Sequence, residues 1–106
     1  MYRSFVRLSA MRWAWLLALP LLHACATVSP PVQEMSDARQ AIKAAHEANA
    51  PLYAPQKLQS AEDSIELATR TLEQGEYEAA RMAASVAKAL AVKARQEALM
   101  AAQAEQ

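Results

Sequence analysis

The 106-residue chain has one cysteine, one glycine and one phenylalanine. A single cysteine excludes a disulfide within the chain, and a free thiol in an oxidising compartment is a liability unless it is capped. Gly75 is the only glycine and β-branched runs are almost absent, so composition points to an all-α fold. Aromatic residues are 6% of the chain and 54% of it counts as hydrophobic; after residue 24 most of that is alanine, which favours helix and buries little area. Ile42, Leu58, Ile65, Leu72, Met82, Val86, Leu90 and Leu99 carry most of the large apolar surface after residue 24. So thin a core predicts low intrinsic stability or a need for a partner.

Charge of one sign is also missing, with 11 basic and 11 acidic residues. Arg3, Arg7 and Arg12 all lie in the first 24 residues, which hold no acid, so the remainder has 8 basic against 11 acidic residues, a net of −3. A mildly acidic domain argues against a nucleic-acid partner. Enzymatic chemistry needs converging titratable or nucleophilic groups, and after Cys25 there is one histidine, His46, no thiol, and acids dispersed along the chain. Zinc needs three or four ligands at compatible spacing, so His46 beside Glu47 reads as a solvated helix-surface histidine. No metal, cofactor or enzymatic activity is expected.

What is present begins with a leader. A basic stretch to Arg12 precedes the apolar run Trp13 to Leu22, followed by His23-Ala24-Cys25, the order of a secretory signal with a small-residue cleavage site. The apolar run is about ten residues where roughly 20 are needed to cross a bilayer, and Pro20 interrupts it, so a permanent transmembrane helix is the poorer reading. Met11 to Cys25 alone also makes a compact signal.

Leu22-His23-Ala24-Cys25 resembles the lipobox of bacterial lipoproteins: an aliphatic residue, a variable one, a small one, then cysteine. The resemblance implies that the Cys25 thiol receives a diacylglyceryl group, that cleavage follows Ala24, and that the new amine is acylated. Several acyl chains anchor far more firmly than one, since each buried methylene contributes about 0.8 kcal/mol. Ala26 and Thr27 follow the cysteine in place of an aspartate, which by similarity to Gram-negative lipoproteins implies the outer membrane. Lipidation also accounts for the lone cysteine.

Residues 1–24 are thus expected to be the signal, 25–33 the lipidated cysteine and a tether, and 34–106 a helical domain. Ser29-Pro30-Pro31 cannot continue a helix and reads as an extended spacer. A first helix over about 34–49 presents Met35, Ala38, Ile42, Ala45 and Asn49 on one face, with Ser36 as a possible cap. Ala50-Pro51-Leu52-Tyr53-Ala54-Pro55 forces a break, and Pro55 suits the first turn of a second helix over about 56–74. That helix places Leu58, Ala61, Ile65, Ala68 and Leu72 on one stripe and pairs Glu66 with Arg70 on its surface. Gly75 suits a left-handed helix end.

A third, long helix over about 76–104 carries a small-residue seam of Tyr77, Ala80, Ala84, Ala87, Ala91, Ala94, Ala98 and Ala101, which permits close helix approach. At 1.5 Å per residue it outruns the second helix, so its distal part is expected to overhang the hairpin as a contact surface. Tyr53 is expected to pack over the first turn and Tyr77 against the second helix, while Arg81, Lys88, Lys93 and Arg95 form a basic surface that is more often a solvated face than a binding site.

Three stretches together, Ala38-Arg39-Gln40-Ala41-Ile42, Ala50 through Leu58, and Gly75-Glu76-Tyr77-Glu78-Ala79-Ala80-Arg81, resemble domain of unknown function 4398. Its members are short lipoproteins and segments ahead of OmpA-like peptidoglycan-binding domains; no such domain follows here, so wall binding is not part of the expectation. Gly75 to Arg81 also resembles the inter-helix turn of a tetratricopeptide repeat, but the ~34-residue period does not recur, and such arrays need about three repeats.

The expected protein is therefore an all-α, three-helix antiparallel hairpin or bundle with a tetratricopeptide-like hairpin and a long C-terminal helix. It is expected to be a non-enzymatic outer-membrane lipoprotein facing the periplasm, bound to the membrane through Cys25. Its third helix is expected to meet a protein partner or a second copy; the alternative reading is an oligomeric coiled-coil assembly subunit.

Overall fold

A computed structural model describes residues 29–106. Among them are four helices and no strand: α1 (Val32–Glu47), α2 (Ala50–Tyr53), α3 (Pro55–Glu73) and α4 (Tyr77–Ala104). The fold is all-α, as composition requires, with three long helices and one additional turn. The signal and the start of the tether lie outside the described residues.

α1 starts earlier than residue 34. Pro31 stands at its N-cap and lacks the N–H that a first turn leaves unpaired, while its carbonyl accepts the Met35 N–H at 3.1 Å. Ser36 is therefore inside the helix, and no side chain caps this end. At the other end α1 stops at Glu47, two residues short of the expected limit, because Asn49 adopts φ 62°. Asparagine tolerates that left-handed conformation better than other residues with a side chain. Asn49 is thus exposed outside the helix instead of sitting on its apolar face.

The Asn49 carbonyl then accepts from Leu52 and Tyr53 at 3.0 and 3.1 Å, opening α2 within what the prolines marked as a break. Pro51 is tolerated there because it sits in a first turn. Ala54, before a proline, leaves the helical region at φ −143°, ψ 52°, and Pro55 begins α3 as its position suggested. At the far end of α3 the Glu76 N–H reaches the Thr71 carbonyl at 2.9 Å and the Gly75 N–H reaches that of Leu72 at 3.0 Å. This is a Schellman closure around Gly75, whose φ is 78°.

Packing is organised by α4, which meets each of the other helices, whereas α1 and α3 touch one another much less. Ala80, Ala84, Ala87, Ala91, Ala94 and Ala98 are fully buried, so the seam is real and faces inward. One core cluster joins Met35, Ala38, Ala68, Ala83, Ala84 and Ala87, with Ile65 and Leu72 packed against it. A second joins Ala45, Ala50, Ala54, Leu58, Ala94 and Ala98, flanked by Ile42, Ala48 and Tyr53. Among the described residues every buried hydrophobic except Met35 and Leu58 is alanine. Stability here comes from many close backbone approaches, each burying little.

The second cluster also corrects the expected overhang. The last turns of α4 do not stand free, because α2 and the Ala54 elbow lie along them and fill the length by which α4 exceeds α3.

Candidate functional site

The two ends of the bundle hold most of its cross-helix polar contacts. Ala24 and Cys25, the expected cleavage and lipidation residues, lie outside the described residues. The chain enters the helical domain at Ser29, and there Arg81 gathers it: Nη2 donates to the Ser29 carbonyl at 3.0 Å, Nε to Glu34 Oε1 at 3.0 Å, and Nη1 to Glu78. A backbone hydrogen bond at the start of α1, then the Arg81 guanidinium, hold the Glu34 carboxyl below its ordinary range. Arg81 belongs by sequence to the basic surface expected of the third helix. Its charge is instead consumed by this clasp.

At the opposite end the proline elbow carries three contacts between distant residues. His46 is exposed as expected, and its Nε2–H donates to Glu62 Oε1 at 2.7 Å across α1 and α3. Lys57 on α3 pairs with Glu97 on α4. The Tyr53 hydroxyl donates to Glu105, just beyond α4, and that bond, with partial burial and the nearby carboxylate charge, raises the phenol above its ordinary pKa. The ring itself packs against the core cluster over the first turn, as the sequence suggested.

Two shallow hollows flank the elbow. One of about 320 Å³ is lined by Tyr53, Ala54, Pro55, Gln56, Lys57 and Glu97; the other, of about 260 Å³, by His46, Pro51, Pro55, Leu58, Gln59 and Glu62. The charged groups of each hollow are already engaged with one another, and Leu52 of the elbow is exposed. Among the described residues no cluster of three or more histidine, cysteine, aspartate or glutamate side chains is placed to hold a metal ion.

Along the bundle, the expected surface pair of Glu66 with Arg70 forms at 2.7 Å. Lys88 approaches Asp37 of α1 at 3.7 Å, and Tyr77 is half-buried at the start of α4. Thr71 is a core residue that the apolar stripe did not include; its hydroxyl donates to the carbonyls of Leu67 and Ala68, which lets a polar side chain be buried. The elbow pairs join residues 16, 40 and 52 positions apart, beyond any local spacing rule. No helix among the described residues is long and apolar enough to cross a membrane.

No curated protein and no solved structure matches this chain. The family model described as a domain of unknown function (DUF4398) matches residues 33–106, from the first turn of α1 to the C-terminal residue. The chain therefore belongs to the DUF4398 family.

Proposed function

We propose that this protein is a non-enzymatic outer-membrane lipoprotein, anchored through acyl chains on Cys25, whose helical domain faces the periplasm as an interaction or envelope-structural module. The observation that carries the reading is Leu22-His23-Ala24-Cys25 placed directly behind a basic and then apolar leader, with no other cysteine in the chain. It is supported at the entry to the domain: Ser29, four residues after Cys25, is held by Arg81, so a lipid on Cys25 keeps the helices close to the bilayer. Tethering of that kind raises local concentration and lets weak helix contacts count.

The coiled-coil alternative relied on the alanine seam. That seam is buried inside the chain, so self-association would need another face. The test of the anchored reading is metabolic labelling with radioactive palmitate together with membrane fractionation of Cys25→Ser. Label entering the wild type only, with the variant released from the membrane fraction, supports it. No label, or a variant that fractionates like wild type, overturns it.

A further inference from the structure

The outer side of α4 is a second, exposed surface with its own pattern. Met82, Val86, Ala89, Lys93, Gln96 and Met100 follow one another at spacings of four and three, which draws a line along the helix about 200° round from the buried seam. Met82 is 69% exposed, Val86 52% and Met100 62%, and Val92 and Leu99 widen the strip at about 40% each.

Charge on this helix is one-sided. Its two acids, Glu78 and Glu97, are taken up by Arg81 and Lys57. Lys93 and Arg95 have no ion pair among the described residues, and Lys88 is held only loosely by Asp37 at 3.7 Å. Seven acids, in contrast, lie on α1 and α3. A basic, apolar strip repels a second copy of itself, since Lys93 of each copy would enter the joint. It complements a surface that is apolar beneath and anionic on top.

The position of the chain end selects the same occupant. Arg81 ties Ser29 to the first turn of α4, and four residues span at most about 14 Å, so a lipid on Cys25 holds Ser29 within that distance of the bilayer and the start of this strip one arginine side chain beyond it. We infer that the outer face of α4 lies on an anionic lipid surface, with Met82, Val86 and Met100 at the headgroup boundary, Lys93 within the strip meeting lipid phosphates, and Lys88 and Arg95 bordering it beyond Val92 and Leu99. This rests on the proposed Cys25 anchor for its proximity, and on the exposed strip itself for its chemistry.

The test uses the full-length protein extracted from bacterial membranes and reconstituted into vesicles with or without phosphatidylglycerol. A polarity-sensitive fluorophore is placed on Ala89→Cys, and in a control on Glu66→Cys of α3. The expected result is a blue shift and quenching by brominated lipid at position 89 only, present with phosphatidylglycerol, weak without it and reversed by high salt. Lys93→Gln should weaken the docked state about fivefold, the effect of one cation near such a surface. An aqueous label at position 89 on anionic vesicles overturns the inference while flotation of the protein leaves the anchor intact; equal embedding of positions 66 and 89 also overturns it. A shift that needs no vesicles but grows with protein concentration assigns the face to a second copy, against the inference. If the protein fails to float with neutral vesicles, the anchor reading falls, and the strip is then judged by whether anionic vesicles added to the free protein shift position 89.

Discussion

Asn49 and Gly75 both adopt positive φ, and each sets where a helix stops and the chain turns back along α4. At Gly75 a Cβ would meet nothing within 4 Å, so the need for glycine is conformational and not a matter of space. Gly75→Ala should therefore cost about 1 kcal/mol, the strain of a left-handed alanine, and Gly75→Asn less. Chemical denaturation followed by circular dichroism will rank the three proteins; equal midpoints would show that the closure around Gly75 contributes little. Tyr53 makes a prediction of a different kind. Its folded pKa is raised, so the hydroxyl's contribution is complete below the unfolded value and is lost as pH rises through the folded one. Ultraviolet titration should show a tyrosine step later than that of a free phenol, and Tyr53→Phe should remove that late step. Glu34 runs the opposite way: its folded pKa is lowered, so the Arg81 clasp is complete above the ordinary carboxylate range and weakens as pH falls through the depressed value.

At the scale of elements the alanine seam is the main determinant. Six alanines at 0% exposure leave no room between α4 and its neighbours, so enlarging one should be worse than removing it. Ala91→Leu is expected to destabilise by about 1 to 3 kcal/mol through overpacking, whereas Ala89→Leu, on the exposed side, should change stability little. Thermal unfolding of both variants checks this, and a neutral Ala91→Leu would contradict the packing described. The seam, the stripe Leu58-Ala61-Ile65-Ala68-Leu72 and the stop at Gly75 were readable in the sequence because helical spacing and turn chemistry are local. α2 was not, since two nearby prolines read as a break although each is tolerated in a first turn. The overhang expected from helix lengths alone is absent for the same reason, because α2 fills the difference. The pairs His46–Glu62, Lys57–Glu97 and Tyr53–Glu105 depend on the bundle being assembled, and no local pattern announces them.

For the whole molecule, the helices form a bundle in which α1 and α4 run parallel and α3 opposes both, as shown by Glu34 meeting Arg81, Asp37 meeting Lys88 and His46 meeting Glu62. Its core is nearly all alanine, so a small domain of this kind gains from being held at a surface, where weak contacts are counted at high local concentration. Cys25 is the residue through which it would be held. The most direct measurement is mass spectrometry of the N-terminal peptide from protein isolated out of bacterial membranes. The expected result is a chain that begins at Cys25 and carries acyl chains on that residue; a peptide that retains Ala24, or begins elsewhere with an unmodified Cys25, would contradict the lipid anchor.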